Sequence, residues 1–510
     1  MTVVLTSSKC DGATPTCTNC KTAGWTCPGP SNTGAFFRHQ TASDMARRSS
    51  VNDASIAIAP MSGSSREPET WKRPLSPPAR DRATTFFMRQ YVFGISGGSG
   101  SLLLGGGHEY LPILLREESA FGLLSTVVAA AGFAALSNAG NVAEWRSESF
   151  RLYQIAIVQL QRALQDPVQR VSDETLGAVL LMGTFDVQNF APWIKPCQGA
   201  NSDSSSMDTF SQHIIAAARC IEMRGPEQFR TPAGVKLFMQ MRRNMITTCH
   251  QLQEPFPFEV SKWSRWAEPH QPEAYIPVNK LSQINEGLAS TRAKLKYLGV
   301  TDPEIISQSL MPFDRMMEQW ADDLPPIWEY KSDRSIGPDG IPSSRYDLQY
   351  DIYNDPWIAC IWNSYRNARL LIHESIIVAT LKHGSQEQKE TLQSSFEILR
   401  SMADGICYSA AYHLGHRRQD DTVMIHPETG RLDNTPAPGG FLLLWPLFFA
   451  AIQRTSSTDQ RLWVAGIIRQ VGRQMGLQIA FSMADLLEKD EKEFAFSDED
   501  TFLLGEWHPN

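Results

Sequence analysis

Residues 210–245 read FSQHIIAAARCIEMRGPEQFRTPAGVKLFMQMRRNM, and this stretch decides the fold class. Its first half predicts a helix from Phe210 to Arg224, with apolar residues recurring at helical spacing. Gly225 and Pro226 follow directly, and this pair is a typical helix stop signal. The second half then predicts another helix after only a short connection.

The start of that second helix has its own signal. Thr231 is predicted as the N-cap and Pro232 as the first helical residue of a helix through Met245, because proline is favoured where no backbone N–H is needed. Ser172 is predicted to cap an earlier helix, and acidic residues follow it in the first turn, where the helix dipole favours them.

Helical patterns continue on both sides of this stretch. An apolar series at helical spacing surrounds Leu152, and no run of alternating strands or internal repeat is found. We therefore expect an all-α fold: a large helical array over 83–490, as one domain or two closely packed halves. Further helices are predicted over 280–297, 303–323, 356–381, 387–412, 440–453 and 458–488.

The segments that flank the array have a different composition. Residues 28–82 are rich in Ser, Pro, Gly and Arg, for example in GSSREPETWKRPLSPPARDR, and are predicted to form a disordered linker. Residues 491–510 form an acidic tail; from Glu488 onward its acids alternate with Phe494 and Phe496, as in an acidic activation segment or a merely solvated terminus.

Bulk composition narrows the class of protein. The chain has 510 residues, 42% of them hydrophobic, which is enough for a sizeable core. Its formal net charge of -8 argues against a protein whose whole surface is basic and binds nucleic acid, although residues 1–50 are locally basic.

The longest apolar stretches, Leu123 to Leu136 and Phe441 to Ile452, are shorter than the ~20 residues of a membrane span. No signal peptide is recognised, so we expect an intracellular protein with reduced thiols and no membrane partner.

The N-terminal residues 1–27 hold a cysteine array with the spacing Cys10-x6-Cys17-x2-Cys20-x6-Cys27. A C-x2-C turn places two thiolates on one zinc ion, and the two outer cysteines could complete a tetrahedron. So short and polar a segment has almost no core, so metal binding would have to provide its folding free energy. The alternative is four free thiols.

This array resembles the second part of the six-cysteine binuclear zinc cluster of fungal transcription factors. Cys10, Cys17, Cys20 and Cys27 match the third to sixth cysteines of that pattern, whereas MTVVLTSS stands where the first two would be. The resemblance implies a partial zinc-cluster DNA-binding motif, with Lys9 left from the basic segment that lies against DNA. It also implies room for at most one zinc. Either an upstream coding segment is missing from the sequence, or the protein has lost its cluster.

Six stretches of the body follow one another in a recognisable order: SDETLGAVLL (172–181), RGPEQFRTPAG (224–234), WADDLPPIWEY (320–330), DPWIACIWNSYRNARLLIHE (355–374), YHLG (412–415) and GGFLLLWP (439–446). With them the body resembles the fungal-specific transcription factor domain, collinearly over most of 84–488. The resemblance implies a helical regulatory domain without catalytic activity.

Several other residues are of types found in catalytic, metal-binding or ligand-binding sites. Gly94 to Gly98 fits the G-x-S-x-G nucleophile elbow of hydrolases, but the glycine-rich residues that follow favour a surface loop. His213 and His250 lack a metal-ligand spacing and are predicted to be structural, as are the scattered cysteines Cys197, Cys220, Cys249, Cys360 and Cys407. Trp357, Trp362 and Tyr365 are predicted to pack in the core, with a ligand pocket between helices as the alternative.

Taken together, these features predict a nuclear regulator of RNA polymerase II transcription, not an enzyme, with zinc as its cofactor. The resemblance implies control of a fungal biosynthetic gene cluster for a secondary metabolite. Expected partners are DNA, a second copy in a homodimer, and a small-molecule effector or the transcription machinery. The alternative is a regulatory or interaction protein that no longer binds DNA, because its cluster is incomplete.

Overall fold

The predicted all-α body is confirmed by the computed structural model, which describes residues 77–92, 107–189, 206–333, 346–347, 349–415 and 439–489. Two short antiparallel strands pair Tyr330 with Tyr353 and Asp333 with Tyr350. The elements are α1 (Ala79–Tyr91), α2 (Leu111–Leu114), α3 (Leu123–Gly140), α4 (Ala143–Gln165), α5 (Asp173–Asn189), α6 (Ser206–Arg224), α7 (Pro232–Leu252), α8 (Phe258–Ala267), α9 (Ile276–Tyr297), α10 (Pro303–Asp322), β1 (Tyr330–Asp333), β2 (Tyr350–Tyr353), α11 (Pro356–His383), α12 (Gln386–Glu390), α13 (Gln393–His413), α14 (Gly439–Ala451), α15 (Thr458–Met475) and α16 (Gln478–Glu488).

The predicted start and stop signals lie where the sequence places them. Helix α6 ends before Gly225, which has the positive φ of 67° that glycine tolerates best. The Thr231 hydroxyl accepts a hydrogen bond of 3.0 Å from the Gly234 backbone N–H, and α7 begins at the next residue. The Ser172 hydroxyl accepts a bond of 3.2 Å from the Thr175 N–H at the start of α5. Both predicted N-caps are therefore confirmed.

Two predicted helices are wrong as single elements. The predicted helix 458–488 is broken into α15 and α16, because Gly476 adopts a left-handed conformation with φ of 71° and caps α15. The predicted helix 387–412 is likewise two elements, α12 and α13. The first described helix, α1, begins at Ala79, inside the segment predicted as linker, and Glu488 is the last residue of α16.

Most helices pack against their neighbours in the chain, and the array then closes on itself. Contacts run from α3 to α4, from α5 through α6 to α7, and from α9 through α10 and α11 to α13 and α14. The last two helices return to the start, where α15 packs on α3 and α16 packs on α5. The strand β2 lies on α13, so the small sheet covers one side of the array.

Helix α3 is the central element of this closed array. Its sequence, LLSTVVAAAGFAALSNAG, carries no charge, and most of its residues are buried on every side. A helix that is apolar all round belongs in a core or a membrane. By length and composition α3 could cross a bilayer, but 67% of it is buried inside the fold. Its neighbours α1, α4, α5 and α15 supply that burial.

Small residues let two neighbouring segments reach the backbone of α3. A methyl group added at Gly132 would lie 2.2 Å from the Ala83 carbonyl oxygen of α1. One added at Gly476 would lie 2.0 Å from the Ala135 carbonyl oxygen of α3. Both distances are far below van der Waals contact, so only glycine permits these approaches. The turn between α15 and α16 is thereby pressed directly onto α3.

Hydrogen bonds hold the same junction. The Tyr91 hydroxyl donates to the Met475 carbonyl at 2.7 Å, and this bond is buried. The Asn138 amide donates to the carbonyl of Gln188 at 2.8 Å and to that of Gly476 at 3.0 Å. One side chain of α3 therefore satisfies backbone carbonyls at the ends of α5 and α15, which would otherwise be left without partners.

We predict that Gly476→Ala destabilises the protein by about 3 kcal/mol, because the added methyl meets the α3 backbone and the left-handed conformation becomes strained. Gly466→Ala is the matched control. Gly466 lies within α15 with open space at its Cβ position, so this change should stabilise by about 0.5–1 kcal/mol. Urea unfolding followed by circular dichroism measures both; equal effects would show that the contact with α3 does not matter.

Candidate functional site

A cavity of about 190 Å³ lies among helices α7, α9, α11 and α14. Its wall is mainly apolar and is rich in aromatic rings from α14, whose sequence GGFLLLWPLFFAA is apolar almost throughout. Half-buried residues line it on several sides, including Ser282, Ser364 and Trp445. The apolar wall is formed by Phe210, Met239, Leu281, Phe441, Trp445 and Phe449.

Arg243 of α7 brings a positive charge to this apolar wall. Its guanidinium lies over the Trp357 ring, 5.7 Å from the centroid, and its Nη1 atom is buried without a hydrogen bond. Burial lowers the pKa of Arg243, while the field of Glu109 opposes that shift. An arginine stays protonated in any protein, so a cation with an unused donor lines the cavity.

Arg242, the preceding residue, differs from Arg243 because its guanidinium has a hydrogen-bond partner in another helix. Its Nη2 donates to the Asn279 Oδ1 at 2.8 Å and approaches the Met239 sulfur at 3.5 Å. Burial lowers the pKa of Arg242 to about 10, against the opposing fields of Glu286 and Glu268. Its own Nη1 is buried without a partner. Both arginines line the cavity, and each carries a buried Nη1 without a partner.

His250, about two turns farther along α7, contributes an acceptor. Its Nε2 lies 3.2 Å from the Asn285 Oδ1, and the Asn285 amide donates to the Leu281 carbonyl at 3.0 Å. That second bond orients the amide, so the oxygen faces the imidazole and Nε2 carries the proton. Burial and the charge of Arg292 lower the pKa of His250 to about 3. The ring is neutral at pH 7, and its buried Nδ1 offers a lone pair without a partner.

Three more polar atoms on the wall have no hydrogen-bond partner. They are the Gln251 Nε2 and Trp357 Nε1, which donate, and the Asn367 Oδ1, which accepts. Buried polar groups are almost always paired, and an unpaired one costs free energy. A mainly apolar cavity whose lining includes six residues with such an atom has the composition of a site for a small organic molecule.

Two other clusters of charged residues pair their charges within the protein. Arg366 of α11 donates to the Asp351 Oδ2 at 3.0 Å, the Tyr353 hydroxyl at 2.8 Å and the Asn363 Oδ1 at 3.0 Å. This network ties β2 to α11. Since every partner in it is already engaged, it has a structural role.

The second cluster ties α10 to α11. Arg369 forms a two-point pair with Asp314, at 2.6 and 2.9 Å, and also contacts Glu318 at 2.8 Å. The His373 Nε2 lies 3.3 Å from the same Asp314 carboxylate. Two-point arginine–carboxylate pairing fixes geometry as well as charge, so this cluster too holds helices together.

The sequence-predicted zinc and DNA residues cannot be placed. Lys9, Cys10, Cys17, Cys20 and Cys27 lie outside the described residues, and so do Cys197 and the Gly94–Gly98 motif. Among the residues that the structure describes, no group of three His, Cys, Asp or Glu side chains could hold a metal ion. The four cysteines described in the body, Cys220, Cys249, Cys360 and Cys407, are free thiols.

The aromatic residues considered for a pocket separate into two groups. Trp357 lines the cavity, whereas Trp362 and Tyr365 pack with Trp320 at ring-centroid distances of 5.5 Å. Core packing is therefore confirmed for all three, and Trp357 lines the cavity as well. His213 lies 3.0 Å from the Asp186 carboxylate, away from the cavity.

Arg242, Arg243 and Asn367 were not recognised from the sequence as site residues. The available signal was the pair of arginines in MQMRRNM, where the flanking apolar residues predict a buried helix face. Helical periodicity shows that α7 is amphipathic but not which arginine remains without a partner, because partners come from other helices.

Comparison with known proteins matches residues 104–253 to the model of the fungal specific transcription factor domain. The match covers less than a third of the chain and includes α2 to α7, with the arginine wall of the cavity. That domain is a transcription factor domain and not an enzyme class. No curated protein and no solved structure matches the chain.

A testable prediction concerns the free energy of unfolding at acidic pH. His108 and His413 are each 3% exposed, and burial, with the nearby charges of Arg243 and Arg366 respectively, lowers the pKa of each to about 3. Unfolded histidine titrates near pH 6.5, so the unfolded chain binds protons that the native protein does not. Stability is fully present above pH 6.5 and should fall on acidification by up to about 1.4 kcal/mol per pH unit for each histidine.

Urea unfolding at pH 7, 6 and 5 measures this slope. His108→Gln should make it shallower by about 1 kcal/mol per pH unit over this range, whatever the change does to stability at pH 7. The exposed His270→Gln is the control. An unchanged slope in His108→Gln would show that His108 is protonated in the native protein.

Proposed function

We propose that this protein is a nuclear regulator of RNA polymerase II transcription, acting on a fungal biosynthetic gene cluster. The match of residues 104–253 to the fungal specific transcription factor domain carries this proposal. The helical body supports it, because a closed array with a ligand-sized cavity suits a receiver of chemical signals. The two buried ion clusters are occupied by their own partners and supply no catalytic constellation.

The DNA-binding part of the proposal rests on the N-terminal cysteines. Cys10, Cys17, Cys20 and Cys27 supply four thiolates for one zinc ion, and the metal supplies the folding free energy of the segment. Lys9 would contact a DNA phosphate, which positions the protein on the duplex without reading its sequence. Residues 28–82 would set the spacing between two such segments in a homodimer.

A second function, regulation without DNA binding, is favoured by one observation. The array has four cysteines where the binuclear cluster has six, and Lys9 stands where that cluster has several cations. Each lost phosphate contact removes part of the salt-dependent affinity. In this version the helical body acts through a protein partner of the transcription machinery.

Deleting the gene in its fungal host tests the regulatory role. We expect transcripts of a contiguous set of biosynthetic genes to change at least several-fold in RNA sequencing, because a pathway regulator controls neighbouring genes together. Reintroducing the full-length protein should restore them. Unchanged transcripts under every growth condition that induces secondary metabolism would contradict the proposal.

Metal and DNA binding by the purified full-length chain separate the two versions. We expect at most one zinc per chain, lost in Cys17→Ser and kept in the control Cys197→Ser. DNA binding should be weak and unspecific, because few phosphate contacts are made. It should weaken further between 50 and 200 mM salt, because those contacts are electrostatic. Two zinc ions per chain with tight, specific binding would overturn this expectation; no zinc and no DNA binding would favour regulation without DNA.

A further inference from the structure

We propose that the cavity among α7, α9, α11 and α14 binds a small aromatic carboxylic acid, with its carboxylate on Arg243 and its ring against the aromatic wall. In calling this acid an effector, the inference rests on the proposed regulatory function. The binding itself requires neither zinc nor DNA.

The size of the cavity sets the size of the ligand. An apolar cavity of about 150 Å³ is known to take up one benzene molecule. The present cavity, at about 190 Å³, has room for one aromatic ring with a short substituent. The rings of Phe441, Trp445 and Phe449 suit an aromatic body, because offset and edge-to-face contacts between rings add to the burial of apolar surface.

The charge of the ligand follows from Arg243. Its guanidinium contacts the Trp357 ring, its Nη1 is buried without a partner, and it makes no ion pair with the residues that the structure describes. The field of Glu109 acts on this half-buried charge, and a ligand carboxylate in the cavity would add a charge-assisted hydrogen bond to it. The arginines in the two internal clusters, Arg366 and Arg369, already have such carboxylates.

Other polar residues of the cavity wall could also contact the ligand. On residues that line the cavity, the Trp357 Nε1 and Gln251 Nε2 are buried donors and the His250 Nδ1 and Asn367 Oδ1 are buried acceptors. Small side-chain rotations on binding would bring them within reach of the carboxylate or of a ring hydroxyl.

Binding here would couple distant parts of the chain. Arg243 and His250 belong to α7, Trp357 and Asn367 to α11, and the aromatic wall to α14. A ligand that touches all three stabilises their packing, since any molecule that binds only the native state raises the midpoint of unfolding. The same contacts give a means by which the ligand could change the arrangement of these helices.

Isothermal titration of the full-length protein with cinnamate tests the proposal, and cinnamamide serves as the neutral partner of nearly the same shape. We expect cinnamate to bind and to raise the melting temperature, and cinnamamide to bind about tenfold more weakly or less. Quenching of tryptophan fluorescence should follow the titration, because Trp357 and Trp445 line the cavity.

Three variants complete the test. Arg243→Gln should weaken cinnamate at least tenfold and cinnamamide little, whereas Arg230→Gln, whose side chain is 71% exposed, should leave both affinities unchanged. Ser364→Phe should place a ring in the cavity and abolish binding of both compounds without lowering the melting temperature.

The outcomes are decisive in either direction. Equal affinities for acid and amide would overturn the carboxylate assignment, as would Arg243→Gln binding cinnamate like the wild type. No binding of cinnamate, benzoate or 2-naphthoate at millimolar concentration would overturn the site altogether. Since none of these measurements involves DNA or transcripts, a failure here is distinct from a failure of the proposed function.

Discussion

The contact between the backbone of α3 and its two neighbours is the constraint on which the rest of the structure depends. Ala83 of α1 reaches α3 at Gly132, and Gly476 reaches it at Ala135, and neither approach leaves room for a methyl group. Because α3 is apolar all round, it must be covered completely. Coverage by α1 and by the turn between α15 and α16 brings both ends of the described body onto one helix and closes the array.

The buried arginines show how one residue type takes two roles in this array. Arg366 and Arg369 are each surrounded by carboxylates and hydroxyls from neighbouring elements, so their charges are compensated and lock helix positions. Arg243 has an aromatic ring and a cavity beside it, and the field of Glu109 acts on its charge. Pairing a charge within the protein contributes rigidity, whereas leaving it beside a cavity favours an anion from outside.

The cavity lies partly within the region matched to the fungal specific transcription factor domain and partly beyond it. Residues 104–253 include α7, which carries Arg243 and His250, while α11 and α14 lie beyond the match. A ligand in the cavity would therefore connect the matched part of the body to its C-terminal half. A regulator needs such a connection, because an effector acts only through a difference in its contacts between two states of the protein.

From the sequence alone, the helical class and both N-caps could be predicted, because a cap depends on residues within a single turn, as at Thr231 and Ser172. The break at Gly476 escaped prediction, since the apolar pattern continues across it and the turn is required by α3, far away in the chain. The same reason separates Trp357 from Trp362 and Tyr365. All three recur on one helix, but only the crossing of α7, α11 and α14 decides which ring lines a cavity. Whether Arg243 stays unpaired depends likewise on side chains from other helices, and these come together only in the tertiary structure.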